Sequence, residues 1–168
     1  MAAATDQAQA VQELRELMKD IYFCMLTTID DDDSLRSRPM STNGNIEADG
    51  SLWFFTYGSD HKVVEIERQN RVNVSFAAPD KQQYVSLSGT AAVVTDRNKI
   101  QELWKPDLKA WFPQGLDEPD IALLKISVEK AEYWDAPAGW VAKAIGFATA
   151  VTTGEKANPA EHEKIDLR

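Results

Sequence analysis

Short apolar and β-branched runs separated by turn signals dominate the middle of this 168-residue chain. Runs at 22–29, 51–57 and 72–77 have strand composition, and a further strand is predicted over 35–46. Asp49-Gly50 is a hairpin signal between the strand at 35–46 and the strand at 51–57. The run at 22–29 is continuously apolar, which predicts a strand covered on both faces. Strands at hairpin spacing, with helices only at the edges, are typical of an antiparallel barrel or sandwich. A dinucleotide-binding fold, in which strands alternate with long helices, is excluded.

One domain is expected, because domains usually contain about 100–150 residues. With 43% hydrophobic residues the chain has enough apolar surface for a core. Apolar residues at three- and four-residue spacing predict an N-terminal helix over about 6–20. We predict a single domain over 1–153 and a polar C-terminal tail over 154–168.

The later part of the chain contains further strand patterns. Segments 121–128 and 131–134 predict two late strands, and 142–151 predicts one more. Gly89 lies inside a strand pattern at 84–94. A glycine in that position indicates a bulge or a close approach of another backbone.

The charge balance excludes several classes of function. The net charge is −9, whereas a nucleic-acid binder would carry a clustered basic excess. No apolar run is long enough to span a bilayer, and the N-terminal residues do not resemble a secretory signal. The lone cysteine, Cys24, is consistent with a reducing compartment and reads as a buried apolar residue. We therefore expect a cytoplasmic protein that binds neither nucleic acid nor membrane.

A metal site is not expected from the sequence. The chain has two histidines and one cysteine, too few for a zinc site built on those residue types. Asp30–Asp33 is a run of consecutive carboxylates, whereas a calcium loop needs spaced oxygen ligands with a glycine and a distal glutamate. We interpret this run as a solvated turn.

Arg36 and Arg38 are the first candidates for binding chemistry. Two residues apart on a strand, they project from the same face, about 7 Å apart. Their guanidinium groups repel each other unless an anion lies between them, and phosphate matches their geometry. The alternative is a solvated strand face on which both arginines pair with acidic residues of the chain.

A second candidate is the junction at which the third strand ends and a helix begins. Thr56, Ser59 and Lys62 place hydroxyl and ammonium groups there. A helix N-terminus also offers free N–H groups and a partial positive charge, which favour phosphate. Asp60 would oppose an anion and could cap the helix itself, so it must point outward for phosphate to bind.

The order and spacing of several segments resemble the general stress protein 26 branch of the pyridoxamine 5′-phosphate oxidase-like, FMN-binding split-barrel superfamily. The resemblance extends over most of the chain. It is carried by Arg36-Ser-Arg-Pro-Met40, Leu52-Trp-Phe-Phe-Thr56, Ser59-Asp-His-Lys62, Val72-Asn-Val-Ser-Phe76, Tyr84-Val-Ser-Leu-Ser-Gly-Thr90, Leu103-Trp-Lys-Pro106 and Ala131-Glu-Tyr-Trp-Asp135.

The resemblance implies a mainly β fold, a six-stranded antiparallel split barrel with peripheral helices. It further implies a homodimer with two FMN molecules at the subunit interface. By the same resemblance, Arg38 and Lys62 bind the FMN phosphate, with Thr56 and Ser59 as hydroxyl donors and His61 nearby. The other implied cofactor-binding residues are Arg36 as a second arginine, Pro39 and Met40 along the ribityl chain or ring, Ser86 and Ser88 on a strand near the flavin, and Trp104, Lys105, Trp111 and Trp134 around the ring. For Trp111 and Trp134, packing in the core is the alternative.

The implied function is that of an FMN-binding general stress protein, a flavin-dependent oxidoreductase if it is catalytic. FAD is the alternative flavin. Two further alternatives are a non-catalytic flavin-binding or sensing protein and a split barrel that binds F420 or haem. True pyridoxamine phosphate oxidases carry a C-terminal Arg-x-His segment, which this chain lacks after Trp140. That enzyme's own activity is therefore not expected, and no catalytic residue is assigned.

Overall fold

Seven strands and three α-helices make up the part of the chain that the computed structural model describes, residues 2–42, 46–135 and 161–167. None of these helices has the length and apolar character of a bilayer-spanning segment. The helices are α1 (Ala2–Met18), α2 (His61–Arg68) and α3 (Arg97–Leu103). The strands are β1 (Phe23–Ile29), β2 (Leu35–Ser41), β3 (Ser51–Tyr57), β4 (Arg71–Ala78), β5 (Gln83–Val94), β6 (Ile121–Asp135) and β7 (Glu161–Asp166). Two short 3-10 helices, Pro106–Ala110 and Gly115–Asp117, lie between α3 and β6.

All the strand pairs are antiparallel, in the order β2-β1-β4-β5-β6-β3, and β7 also pairs with β6. The long strand β6 pairs with β5 along most of its length and with β3 and β7 along different parts. Its first half pairs with β3 and its last part, Lys130–Asp135, pairs with β7. The prediction of a mainly β, antiparallel fold with peripheral helices is confirmed. The six-strand path is open, since no pairing between β2 and β3 closes it within the described residues.

The predicted tail needs a correction. Part of the polar segment 154–168 is the strand β7, and Leu167 beyond it is buried. The composition of this segment is polar because an edge strand exposes much of its surface, whereas its backbone is paired with β6. The predicted strand at 142–151 falls outside the described residues. The predicted strands at 121–128 and 131–134 form the single strand β6.

Strand β1 is buried on one face, not on both. Cys24 and Leu26 are buried in the core, but Phe23 and Met25 are 56% and 40% exposed. The prediction that the run at 22–29 is covered on both faces is wrong for the single chain. The apolar outer face of β1 is therefore available to solvent or to another molecule.

Gly89 lies at a break in the register between β5 and β6. Ser88 is opposite Lys130 and Gly89 is opposite Val128, so Glu129 is an extra residue in β6. A Cβ atom at Gly89 would lie 2.0 Å from the carbonyl oxygen of Ser127. The predicted bulge and the close backbone approach are both present.

Two hydrophobic clusters lie on opposite faces of β3. The larger contains Leu52 and Phe54 together with apolar residues of α1 and the other strands. The smaller contains Trp53 and Phe55 and is covered by α3 and the 3-10 segments through Ile100 and other side chains. β3 is therefore buried on both faces, and it ends at Tyr57, just before α2.

Candidate functional site

A cavity of about 260 Å³ opens beside the end of β3 and the start of α2. Aromatic and apolar side chains form most of its wall, and the charged residues in its lining are Asp60 and Lys62. An apolar cleft with a few polar groups is the usual form of a small-molecule site. The lining residues are Phe23, Pro39, Met40, Ser41, Phe55, Thr56, Tyr57, Asp60, Lys62, Leu108, Trp111 and Phe112.

Lys62 is held in this cavity by two oxygen groups. Its Nζ donates to the Thr56 hydroxyl at 3.1 Å and forms an ion pair with Asp60. The Thr56 hydroxyl also lies 2.9 Å from the Asp60 carboxylate and can donate to it. Burial acts to raise the pKa of Asp60, but the hydrogen bonds from Lys62 and Thr56 and the Lys62 charge outweigh it, so this pKa lies below its ordinary value. The condition that Asp60 points outward is thus not met, because its carboxylate faces the ammonium group.

The start of α2 is shaped by a second carboxylate. Asp120 accepts hydrogen bonds from the backbone N–H of Ser59 at 3.0 Å and from its hydroxyl at 2.6 Å. Asp60 is the N-cap residue by position, but its side chain makes no capping hydrogen bond. The Ser59 hydroxyl therefore donates to Asp120, and Ser59 does not line the cavity.

Arg36 and Arg38 project from the same face of β2, as predicted, and Glu65 of α2 lies between them. Arg38 contacts Glu65 Oε2 at 2.7 Å and also donates to Thr28, while Arg36 lies 3.5 Å from Glu65 Oε1. The Glu65 side chain has no exposed surface. The anion between the two guanidinium groups is thus a carboxylate of the chain itself. The arginines pair with an acidic residue, as in the alternative that the sequence left open, but that residue is buried and not on a solvated face.

His61, the first residue of α2, points away from the cavity toward the turn between β1 and β2. Its Nε2 lies 3.2 Å from Asp30 Oδ1, 3.5 Å from Glu65 Oε1 and 3.9 Å from Asp31 Oδ2. The pKa of Asp30 is lowered by the backbone N–H of Asp31, by the hydrogen bond with His61 and by Arg36. His61 is therefore part of an acidic cluster, adjacent in sequence to Lys62 but on another side of the helix.

Of the four predicted flavin-wall residues, one lines the cavity. Trp111 is 57% exposed there, and its backbone carbonyl accepts a hydrogen bond from Tyr57. Trp104 stands behind the wall, with its ring edge-on to Phe55 at 5.8 Å and to Phe112 at 6.4 Å. The other two, Lys105 and Trp134, are not in this cavity.

A second cavity, of about 320 Å³, lies along β1, β4 and β5. Ser86 and Trp134 line it, and it shares Phe23 and Pro39 with the first cavity. Ser86 accepts a hydrogen bond from Asn73 at 2.9 Å, whereas Ser88 is exposed and lies in neither lining. The structure thus divides most of the predicted residues between two neighbouring cavities and the Glu65 network, whereas Ser59, Ser88, Trp104 and Lys105 line neither cavity.

Sequence reasoning missed the buried carboxylate. Val63, Val64 and Ile66 have helical spacing in the sequence, which favours them as the apolar face of α2. In the structure Val64 is 51% exposed and Glu65 is buried. The available signal was the arginine pair, whose repulsion requires a counter-charge. Phe55, Tyr57 and Phe112 of the cavity wall were also missed, because aromatic residues in such segments are equally typical of core packing.

Residues 9–158 match the sequence model of the family described as pyridoxamine 5′-phosphate oxidase like. The chain belongs to this family. It is 28% identical to protein bli-3 of Neurospora crassa over 158 residues, covering 89% of this chain and 76% of that relative. The family predicted from the sequence is therefore confirmed.

Solved structures of general stress proteins have the same fold. A Clostridium acetobutylicum protein related to general stress protein 26 matches with a TM-score of 0.67 at 22% identity, covering 76% of this chain and 89% of that one. A general stress FMN/FAD binding protein of Xanthomonas citri matches with a TM-score of 0.66 at 26% identity, covering 78% of this chain and 92% of that one. This family member therefore has the split-barrel fold of the general stress proteins.

Proposed function

We propose that this family member binds FMN in the cavity beside Lys62. The observation that carries the proposal is an apolar, partly aromatic cleft that contains a lysine at the start of a helix. The flavin binding named for the Xanthomonas citri relative supports the choice of ligand. FAD, which carries the same ring, is the alternative that the same cavity allows.

The side chains of the cavity fit the parts of FMN. The Lys62 ammonium and the Thr56 hydroxyl are donors suited to a phosphate, and Trp111 offers an exposed aromatic surface to a planar ring. The Asp60 carboxylate competes with a phosphate, because both are anions and Asp60 pairs with Lys62 in this structure. Its side chain is 41% exposed, so it has room to turn toward solvent when an anion takes its place.

The residues of the chain would act through binding and orientation. When bound, a flavin supplies hydride and electron transfer. Lys62 and Thr56 would anchor the phosphate, Pro39 and Met40 would lie along the ribityl chain or ring, and Trp111 would limit the access of water. We accordingly propose a flavin-dependent oxidoreductase whose protein part supplies position and electrostatics.

We also propose that two chains share the flavin across a two-fold interface. The support is the apolar outer surface formed by Tyr22, Phe23, Met25 and Tyr84, which are between 40% and 77% exposed. Exposed aromatic and apolar side chains in this number mark an interaction surface. The second cavity, which contains Ser86 and Trp134, adjoins this surface and would face the partner's flavin in a closed dimer.

Parallel titrations with FMN and riboflavin test the phosphate contact, because riboflavin has the same ring and ribityl chain without the phosphate. Loss of a charge-assisted hydrogen bond costs about 1.5–3 kcal/mol, so Lys62→Gln should weaken FMN binding by roughly 10- to 150-fold. Riboflavin binding should change little. Lys81→Gln, which removes a lysine paired with Asp20 at the surface, is the matched control and should leave both affinities unchanged. Equal losses for FMN and riboflavin in Lys62→Gln would contradict the proposed contact.

The same titrations test the prediction that Arg38 binds the phosphate. If it does, Arg38→Gln weakens FMN selectively. If Arg38 serves only to neutralise Glu65, the variant lowers the free energy of unfolding and affects both flavins alike. The FMN and riboflavin affinities of Arg38→Gln and Lys62→Gln, measured side by side in phosphate-free buffer, separate these outcomes.

Sedimentation tests the shared site. The expected mass is about twice the 18.8 kDa of one chain. Phe23→Ser, on the exposed face of β1, should shift the equilibrium toward monomer and weaken flavin binding together. A monomer that binds FMN with wild-type affinity would refute the shared site while leaving the Lys62 contact intact.

A further inference from the structure

Trp111 enters the lining of the cavity beside Lys62 from the segment that joins α3 to β6. It follows directly after the 3-10 helix Pro106–Ala110 and is 57% exposed. The next residue, Phe112, is buried in the smaller hydrophobic cluster. Because more than half of the surface of Trp111 is open to solvent, the position of its indole depends on what holds its backbone.

Tyr57, the last residue of β3, contacts this segment at two successive residues. Its hydroxyl donates a hydrogen bond to the backbone carbonyl of Trp111 at 3.0 Å. Its ring packs against the ring of Phe112, with the two centroids 4.8 Å apart. Tyr57 is held in turn by the pairing of β3 with β6, where it lies opposite Ile121. The hydrogen bond therefore fastens the backbone of Trp111 to the sheet.

The protonation state of Tyr57 is compatible with this hydrogen bond. A carbonyl oxygen can only accept a hydrogen bond, so the contact requires a protonated phenol. Burial raises the pKa of Tyr57 above its ordinary value of 10.0, and the negative charges of Glu118, Asp60 and Asp120 raise it further. The phenol is therefore protonated at neutral pH, and the hydrogen bond persists under the conditions in which the cavity would bind a ligand.

The two faces of β3 separate the polar groups of the cavity. Successive residues of a strand project to opposite faces, so Thr56 and Tyr57 point to different sides of the sheet. Thr56 lies on the side of Lys62, whose Nζ is 3.1 Å from its hydroxyl. Tyr57 lies on the side of Trp111. A ligand in this cavity would thus meet the donors for a phosphate from one side of β3 and the tethered indole from the other.

We propose that Tyr57 is a positioning residue that fixes Trp111 against the ring of the bound flavin. The proposal rests on the proposed binding of FMN in this cavity, and it adds a determinant that acts on the ring and not on the phosphate. An indole is a large planar surface suited to stacking on a flavin ring. Holding its backbone in place before the ligand arrives lowers the entropy cost of ordering it on binding.

Titrations of the full-length Tyr57→Phe variant with FMN and, separately, with riboflavin test this role. The substitution removes one oxygen and keeps the ring that packs against Phe112. Loss of a neutral hydrogen bond should weaken the binding of both flavins alike, by roughly 2- to 10-fold. The fluorescence of the bound flavin should rise, because an indole stacked on the ring quenches it and a displaced indole does not. Lys62→Gln gives a different result, since it should weaken FMN alone.

A double-mutant cycle shows whether Tyr57 acts through Trp111. Trp111→Leu removes the indole and keeps the backbone carbonyl that Tyr57 contacts. In that background, Tyr57→Phe should change neither the flavin affinities nor the flavin fluorescence any further, so the effects of the two substitutions should not add. Additive losses would mean that Tyr57 contacts the flavin directly, and they would overturn the proposal.

Tyr133→Phe is the matched control. It removes a hydroxyl that donates to Glu163 of β7 at 2.8 Å, and Tyr133 lines neither cavity. Both flavin affinities and the fluorescence of the bound flavin should stay at their wild-type values. A loss in this control equal to that in Tyr57→Phe would contradict a specific role for Tyr57.

Two further results would overturn the proposal: wild-type affinities and fluorescence in Tyr57→Phe, or a loss confined to FMN. The failure of this role and the failure of flavin binding are distinguishable. If the wild-type protein binds neither flavin, the proposed function is refuted and this role with it. If the wild-type protein binds both and Tyr57→Phe behaves like it, only the positioning role is refuted.

Discussion

Replacing Glu65 by glutamine tests how the buried charge network stabilises this fold. Glu65 has no exposed side-chain surface, and its Oε2 lies 2.7 Å from Arg38. Arg36 lies 3.5 Å from the other carboxylate oxygen, and Thr28 also hydrogen-bonds the carboxylate. Glutamine preserves the shape of the side chain and removes its charge, so the experiment isolates the electrostatic contribution.

The size of the effect follows from the burial of both partners. Breaking a buried ion pair by removing one partner costs about 3–5 kcal/mol. Arg38 keeps 17% exposure, so water compensates part of its lost partner, and the glutamine oxygen can still accept its hydrogen bond. We therefore expect Glu65→Gln to lower the free energy of unfolding by about 2 kcal/mol, below that range because a neutral hydrogen bond replaces a charge-assisted one. This corresponds to a fall in Tm of about 4–8 °C for a chain of this size.

Urea unfolding followed by circular dichroism at pH 7 in EDTA measures this change. The protein concentration must be held constant, because any association adds to the apparent stability. Glu67→Gln is the matched control, since it makes the same chemical change at an exposed position of α2 and should stay within about 0.5 kcal/mol of wild type. If both variants shift stability equally, the network does not stabilise the fold as argued.

A double-mutant cycle identifies the partner. Glu65→Gln and Arg38→Gln are in direct contact, so their combined effect should differ from the sum by about 1–3 kcal/mol. An additive pair would mean that Arg38 is not the residue that Glu65 neutralises.

Three further outcomes are expected. Gly89→Ala should lower the free energy of unfolding by about 3 kcal/mol, because its Cβ would lie 2.0 Å from the Ser127 carbonyl oxygen. A urea titration measures this change, and a value under about 0.5 kcal/mol would contradict the close approach. The pKa of Asp60 is lowered because contacts with Lys62 outweigh burial, so its stabilising effect is complete above the ordinary value of 3.8 and lost as pH falls through the lowered pKa. Asp60→Asn should accordingly flatten the pH dependence of the unfolding free energy in the acid range, and an unchanged acid slope would argue against this ion pair. Burial raises the pKa of the Cys24 thiol to about 12. The native protein should therefore react with a thiol reagent at pH 8 far more slowly than the urea-unfolded chain. Equal rates would show that the thiol is accessible.

The strand architecture could be predicted because its signals are local. Strand runs act over a few residues, and they predict antiparallel pairing without knowledge of the partners. The hairpin predicted at Asp49-Gly50 is wrong, because β2 pairs with β1 and β3 pairs with β6, although a turn is present there. Gly89 was recognised for the same reason, since a glycine inside a strand pattern has few structural explanations. The apolar run of β1 was misjudged because composition does not say which face of a strand a single chain covers.

The candidate site was predictable in part. The period of two in a strand placed Arg36 and Arg38 on one face, and the repulsion between them required an anion. Which anion lies there depends on α2, which follows β2 after an intervening strand and packs against β1 and β5. That packing buries Glu65 and exposes Val64, and the sequence of the helix alone favours the reverse.

Local signals in the sequence thus predict most of the strands, the bulge, the paired arginines and the hydroxyl and basic groups at the start of α2, because each depends on neighbours a few residues away. The tertiary structure alone decided that Asp60 faces Lys62, that Glu65 neutralises the arginines and that His61 meets the acidic turn. It also decided that the polar segment 161–166 is a strand on β6. The reason is that burial and charge pairing are set by which elements pack together, and those contacts join residues far apart in the chain.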